Sequence, residues 1–430
     1  MSAVVAFSNF IEMSEDMENS EIINVGIGFA TGRKNFKKVL NSYMYHLDES
    51  EMLKDRKIRL HLFVSYDLNY KNTKLEDYTS INPSILERFE STNFIGDEDI
   101  ARVTEELIDR KIVEAAEAHL CFGNGYAVRR NIILYYALKD KMDYILFMDD
   151  DEYPMAVTAN DGSTLWSGQH VIESHINALK FADVTNGYHC GYISPIPSIE
   201  FDNILSEETF KTFIKALSND VLNWDSIKSI MQNGGVTYSD KNVLINKKIS
   251  LVEEVNGAKF ITGGNLGLNL KDLTKIYPFY NPPGARGEDT FLSTCLAGST
   301  VKLIPTYTFH DGFSIYNNLL QGVLPTKLKK INPLESLEIV NRFYKACLGW
   351  VRYKPLYMYI THREEYGEII QDMRENLQKT LPQICAYFNM PEFNNILGEL
   401  EKFNAQVENH FNEFERAKAL WKVMTTNLIS

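Results

Sequence analysis

The run Lys141–Pro154, KMDYILFMDDDEYP, constrains the fold more than any other stretch of the chain. It opens with five apolar residues, Tyr144–Met148, without polar alternation. A short unbroken apolar run bounded by charge predicts a strand buried on both faces, as in the sheet of an α/β protein. The run then breaks into Asp149, Asp150, Asp151 and Glu152. Four successive acids repel one another unless something positive sits among them. The carboxyl end of a buried strand is where open α/β sheets bind ligands, so a divalent cation is the natural candidate. Hard oxygen ligands suit Mg²⁺ or Mn²⁺, ions that bridge to substrate phosphates. A solvated acidic turn is the plain alternative on these residues alone.

A chain of 430 residues holds two to three units at roughly 150 residues each. Its net charge of -13 argues against a nucleic-acid partner. The five cysteines, Cys121, Cys190, Cys295, Cys347 and Cys385, form no CxxC and no cluster with histidine. Neither a zinc site nor a disulfide framework is therefore expected, and the odd count fits a reducing compartment. The first twenty residues lack the basic-then-apolar order of a signal peptide. No apolar run approaches the ~18 residues that a membrane helix needs. The expectation is a soluble cytoplasmic protein.

Residues 1–20 read as a lead-in. Ile22–Phe29 reads as a strand, Ala30-Thr31-Gly32-Arg33 as a turn, and Asn35–Leu47 as a helix with apolar residues at helical spacing. A glycine turn feeding a helix lets a ligand approach the backbone. Thr31 stands where a GxGxxG would need its last glycine, so the dinucleotide signal is weak. Arg59–Asp67 predicts a second strand; Asp67 at its end could hold a ribose hydroxyl or simply cap a turn. The polar stretch 71–94 is expected to be irregular, and 97–120 to be one helix. Asn124-Gly125 turns into a helix over Tyr126–Leu138. Its first turns carry Arg129 and Arg130, one of which could face phosphates or the acidic cluster.

Residues 155–260 are read as an insertion shaping the acceptor pocket, with a Pro-kinked strand near Cys190, helices within 205–231 and a hairpin at 236–251. Chemistry returns at Gly263-Gly264-Asn265, where two adjacent glycines admit a pyrophosphate or sugar close to the backbone. Glu288-Asp289 opens a helix expected to run to Leu296, and such acids are commonly caps. A last strand ends at His310-Asp311. After Asn332-Pro333, helices are predicted at about 334–349, 365–378, 391–404 and 404–427.

The order of these signals resembles the GT-A class of nucleotide-sugar glycosyltransferases, in particular the inverting family 2. The resemblance spans about residues 21–315: Asp149-Asp150-Asp151 is a form of the DxD motif, GGNLGL the acceptor-side glycine loop, GED the acid pair, and His310 the trailing metal position. It implies an α/β fold with a GT-A-like mixed central sheet flanked by helices, a catalytic unit over 21–330, and a helical C-terminal extension over 331–430. It further implies that Asp151 and His310 hold Mn²⁺ or Mg²⁺, and that Asp149 and Asp150 face the donor. Thr31, Arg33 and Asp67 would line the base and ribose. Arg129, Gly263, Gly264 and Asn265 complete the nucleotide-sugar contacts. Asp289, or Glu288 in another register, would be the general base, with inversion at the sugar. The implied donor is a nucleotide-diphosphate sugar, UDP-sugar favoured; the acceptor is a glycan, lipid-linked or protein hydroxyl. The basic, aromatic stretch YKPLYMYITHR offers a membrane-surface contact, or packs back onto the catalytic unit. A nucleotidyltransferase of similar topology and a non-catalytic nucleotide-sugar-binding scaffold are the rival readings.

Overall fold

The computed structural model describes residues 22–54, 57–123, 125–193, 195–218, 224–316, 319 and 323–429. The lead-in 1–20 and Asn124 of the Asn124-Gly125 turn lie outside the described residues. The fold is α/β, a curled mixed sheet with a helical C-terminal region.

Strand β1 (Ile23–Thr31) pairs in parallel with β2 (Ile58–Tyr66), and β2 with β3 (Ser91–Ile95). On its other side β1 pairs in parallel with β4 (Tyr144–Met148), the apolar run of the acidic motif. Every residue of β4 is buried. Ile145 and Phe147 enter the core on one face of the sheet, and Tyr144, Leu146 and Met148 the core on the other. Alternate side chains of a strand point to opposite faces, so a strand covered on both sides must be apolar throughout.

After β4 come the short β5 (Glu152–Tyr153), the hairpin of β6 (Met155–Asn160) with β7 (Ser163–Gly168), β8 (Val184–Gly191), the two-residue β9 (Ser250–Leu251), β10 (Leu266–Asn269) and β11 (Val301–His310). The sheet order is β3-β2-β1-β4-β10-β8-β11-β5, with β9 on β11. β10 runs antiparallel to both β4 and β8, and β8 runs parallel to β11. The carboxyl ends of β1, β4, β8 and β11 therefore share one edge with the amino end of β10.

Helix α1 (Phe36–Glu49) buries Phe36, Val39, Leu40, Tyr43 and Leu47 against one face of the sheet. Helix α2 (Asp97–Asp109) and α3 (Tyr126–Lys139) cover the other, α3 through Ile132, Ile133 and Tyr135. α4 (Val171–Leu179) lies on the α1 side. α5 (Glu207–Leu217) and α6 (Trp224–Gln232) pack with the C-terminal helices rather than the sheet. The six-residue α7 (Glu288–Ser293) precedes β11.

Several expectations are corrected. The stretch expected to be irregular contains β3, an edge strand of polar and β-branched residues. The helix expected over 97–120 stops at Asp109, where Lys111 takes a left-handed φ of 58°. The expected hairpin at 236–251 is a helical turn, Lys241–Asn246, followed by β9. The strand expected around Cys190 lies earlier, and the proline-bearing residues after Gly191 are irregular. The segment 155–260, read as an insertion, contributes β8 to the middle of the main sheet.

Four long helices follow: α8 (Leu337–Thr361), α9 (Tyr366–Phe388), α10 (Asn395–Ala405) and α11 (Val407–Ile429). α8 continues through Pro355 and α9 through Pro382. The aromatic stretch of α8 is not a surface: Tyr353 through Tyr359 are all buried, and Lys354 Nζ donates to the carbonyls of Lys215 and Ala216 at 3.2 Å each. Tyr357, Met358, Trp421 and Met424 belong to the same core as Phe147 and Leu266 of the sheet, so residues 353–359 pack back onto the sheet. Among the described residues no helix is long and apolar enough to cross one.

Candidate active site

A cleft of about 630 Å³ lies along the shared sheet edge. Its floor is the acidic run after β4. Asp149, Asp150, Asp151 and Glu152 all line it, together with Gly263, Gly264, Glu288, Asp289 and His310. The four segments are far apart in sequence, and the strand directions bring them together.

Each acid of the run meets a cation. Arg130, on the first turns of α3, donates from Nη2 to Asp149 Oδ1 at 2.7 Å and from Nη1 to the Gly263 carbonyl at 2.6 Å. Its Nε lies 3.6 Å from Glu288 Oε1. The guanidinium is sandwiched near the rings of Phe147 and Phe279, 5.4 and 5.6 Å from their centroids. One side chain thus ties the acidic run to the glycine loop and to the start of α7. Arg33 donates to Asp150 Oδ1 at 2.8 Å and also to Asp151. Thr31 Oγ1 donates to Asp150 Oδ2 at 2.6 Å. His310 Nε2 stands 3.3 Å from Asp151 Oδ2. His189 Nδ1 stands 3.1 Å from Glu152 Oε1, and Thr308 Oγ1 donates to Glu152 Oε2 at 2.6 Å.

These pairings set the charges. Burial pushes Asp150 up to about 6, against the pull of Arg33. Asp151 is equally enclosed, yet His310 and Arg33 together hold it well below the usual carboxylate range. Burial opposes charge on His310, but Asp151 and then Glu152 lift it to about 9. Burial and the neighbouring Glu288 raise Asp289 to about 6, against Arg130. Asp289 accepts from the backbone N–H of Gly263 at 3.0 Å and of Thr290 at 2.8 Å, which fixes the carboxylate plane.

The glycine loop has steric and structural reasons for its composition. A Cβ on Gly264 would lie 2.9 Å from both Asp149 Oδ2 and Glu152 Oε2, so only glycine lets the loop approach the acids. Asn265, buried and with a left-handed φ of 51°, sits beneath the loop rather than lining the cleft. His175 Nε2 meets its Oδ1 at 2.9 Å, and its Nδ2 donates to the Tyr188 carbonyl at 3.1 Å. His175 is fully enclosed, and burial lowers its pKa to about 4. A neutral histidine from α4 therefore pins the turn.

Besides Asn265 beneath the loop and Thr31, which is buried against Asp150, two expected site residues lie outside the cleft lining. Arg129 pairs with Asp97, and Arg130 is the arginine that reaches the acids. Asp67 accepts from the Asn69 N–H at 2.9 Å, closing its own turn outside the cleft lining. Other residues carry no mark in the sequence reading. His189 follows no motif. Arg342, Ala346, Gly349, Trp350 and Tyr353 form one wall of the cleft, and they recur at the spacing of a single face of α8. That spacing is the signal that could have found them.

A divalent ion would find two side chains, Asp151 and His310, whose facing atoms at 3.3 Å have about the separation of adjacent ligands at ~2.1 Å from one Mg²⁺-like ion. His310 Nδ1 is buried without a hydrogen-bond partner. Among the described residues no three His, Cys, Asp or Glu side chains are grouped to hold a metal ion. Asp151 Oδ2 also accepts from Arg33, so an ion bound here would displace that contact and the His310 proton, taking one carboxylate and one imidazole from the chain and its other ligands from water and substrate phosphates.

No protein-family description matches the chain, and no curated protein matches it either.

Proposed function

We propose that the protein is a metal-dependent glycosyltransferase that moves a sugar from a nucleotide-diphosphate sugar to an acceptor hydroxyl, with inversion. The observation that carries this reading is the convergence of Asp149–Asp151, Gly263-Gly264, Glu288-Asp289 and His310 on one cleft at the ligand-binding edge of an α/β sheet. Asp151 and His310 would hold a Mn²⁺ or Mg²⁺ ion, which when bound neutralises the leaving diphosphate as a Lewis acid.

The chain's own groups do the rest. Gly263 and Gly264 let the loop close onto Arg130 and the acids, so that its backbone lines the donor side of the cleft. Asp289 takes the proton of the acceptor hydroxyl as the acceptor oxygen bonds to the anomeric carbon and the bond from that carbon to the diphosphate oxygen breaks. A base that titrates at about 6 is ionised at neutral pH yet more basic than an ordinary carboxylate, the compromise general-base catalysis favours. The backbone donors on both oxygens hold it in place. Phe260, Ile193, Pro195 and Trp350 make the apolar part of the lining, which is assigned to the acceptor.

The test is a donor panel. The protein is incubated with UDP-, GDP- and dTDP-sugars and Mn²⁺, and separately with nucleoside triphosphates. Release of nucleoside diphosphate from a sugar donor, lost in Asp151→Asn, supports the reading. Release of pyrophosphate from a triphosphate instead replaces it with nucleotidyl transfer. Nucleotide binding without turnover across the panel replaces it with a binding scaffold.

A further inference from the structure

Not every cation of the cleft stands in an ion pair among the described residues. Arg130, Arg33, His310 and His189 are each accounted for by Asp149, Asp150 with Asp151, Asp151 and Glu152. Two further guanidinium groups line the same cleft: Arg286, in the loop before α7, and Arg342, on α8. Among the described residues neither has a carboxylate within 4 Å.

Their placement is specific. Arg342 lies across the ring of Phe313, 4.5 Å from its centroid. A Cβ on Gly312 would sit 2.7 Å from Arg342 Nη2 and 3.0 Å from His310 Cε1, so this guanidinium is packed beside the imidazole at the end of β11. Arg286 runs along α8, its Cδ 3.9 Å from where a Cβ on Gly349 would be. Both therefore depend on α8, which lies outside the segment that carries the acidic and glycine motifs.

Arg342 is half-buried and loses hydration, and without a carboxylate it regains little of that loss, whereas Arg286 is exposed at the cleft mouth. Neither guanidinium is held by an acid at ion-pair distance among the described residues, so both can turn to an anion in the cleft. Arginine presents its donors as a planar fork that matches phosphate oxygens bidentately. The diphosphate of a nucleotide sugar carries two negative charges and offers such oxygens on both phosphorus atoms.

We propose that Arg342 and Arg286 form a diphosphate-binding clamp, supplied through the C-terminal helix α8, that grips the donor beside the acidic run. The proposal rests on the nucleotide-sugar reading of the cleft. It makes the C-terminal helical region part of the donor site.

The test is calorimetric titration of the full chain in Mn²⁺ with UDP, GDP and dTDP, and with uridine, guanosine and thymidine. Arg342→Gln and Arg286→Gln are each expected to weaken the bound nucleoside diphosphate about ten- to a hundredfold, the loss of a charge-assisted hydrogen-bonded contact. Binding of the matching nucleoside stays unchanged. Arg342→Lys keeps the charge and the stem and is expected to fall between the two. Diphosphate binding as tight as wild type in both glutamine variants overturns the clamp and leaves the nucleotide-sugar reading standing. An equal loss of nucleoside binding also overturns it, because the arginine then acts through the shape of the cleft. Wild-type protein that binds none of the diphosphates overturns both. Should Arg342→Gln lose helix content by circular dichroism, Arg286→Gln and Arg342→Lys decide the matter.

Discussion

Arg130→Met is the substitution whose consequence is best defined by the structure. The arginine side chain is 5% exposed and Asp149 34% exposed. Methionine fills most of the aliphatic volume between Phe147 and Phe279 and removes the charge. Breaking a fully buried pair from one side costs about 3–5 kcal/mol, because an uncompensated charge is left behind. Asp149 keeps a third of its surface in water, which reduces that to about 2–3 kcal/mol. The Gly263 carbonyl also loses its 2.6 Å donor, adding about 1 kcal/mol. The expected loss is about 3–4 kcal/mol, read as a lower urea midpoint at pH 7.5.

The second arm of that experiment tests the cause. Adding Asp149→Asn removes the stranded charge, so the double variant should recover about 2 kcal/mol relative to Arg130→Met. The pH dependence has a definite sign. Asp149 already titrates above the ordinary carboxylate value, raised by burial and held down by Arg130. Without Arg130 its folded pKa rises further above the unfolded one, so the fold prefers the neutral acid and becomes less stable as pH rises through that folded pKa. The deficit of Arg130→Met should therefore shrink as pH falls below neutrality. A deficit under about 1 kcal/mol that does not change with pH, with no recovery in the double variant, would refute the role given to Arg130.

Asp151→Asn should lower turnover at least about a hundredfold, the scale of lost Lewis-acid stabilisation, with the far-ultraviolet circular dichroism unchanged; near-normal turnover removes Asp151 from the chemistry. Asp289→Asn should cost transfer about 10²–10⁴-fold while nucleoside diphosphate binding, measured by calorimetry, changes little. Wild-type transfer should rise with pH through a limb near 6 as Asp289 ionises. Asp150 titrates in the same range, so the limb should survive in Asp150→Asn; its disappearance there would reassign it. Gly264→Ala should destabilise by about 1–3 kcal/mol, because its methyl meets two carboxylate oxygens at 2.9 Å; an unchanged melting temperature would show that the loop has room to retreat.

The sheet was legible where burial on both faces forced an apolar run. β1, β2 and β4 stand out for that reason; the boundaries of β1 and β2 differ from expectation by one or two residues and those of β4 coincide. β3 did not stand out because it is an edge strand with polar residues, Ser91-Thr92-Asn93, on a surface that tolerates them. β8 was hidden because its polar members are buried by hydrogen bonds rather than by apolar contact: the Asn186 side chain donates to Thr262 and Asn265, and Thr185 meets His175 at 2.7 Å. The expected helix ended at about residue 349, but α8 runs on through Pro355, because tertiary packing outweighs local propensity when the faces on both sides of the proline are buried.

The candidate site divides in the same way, by how each charge came to be there. Acids can follow one another along a strand end, so Asp149, Asp150, Asp151 and Glu152 announce themselves in four letters. The cations that neutralise them cannot, because a compensating group must approach from another direction. Arg33 arrives from the turn after β1, Arg130 from α3, His189 from β8 and His310 from β11. Arg129 and Arg130 are adjacent in sequence and about 100° apart around the helix, so composition could not choose between them. The choice was made by Phe147, Phe279 and the Gly263 carbonyl, which come from three other segments. Arg342, which stands in no ion pair with these acids, reaches the same cleft from nearly two hundred residues further along the chain. A run of buried acids thus implies that compensating cations exist, and the fold alone says which they are. Any cation in the same cleft that no acid claims is then the first place to look for a ligand.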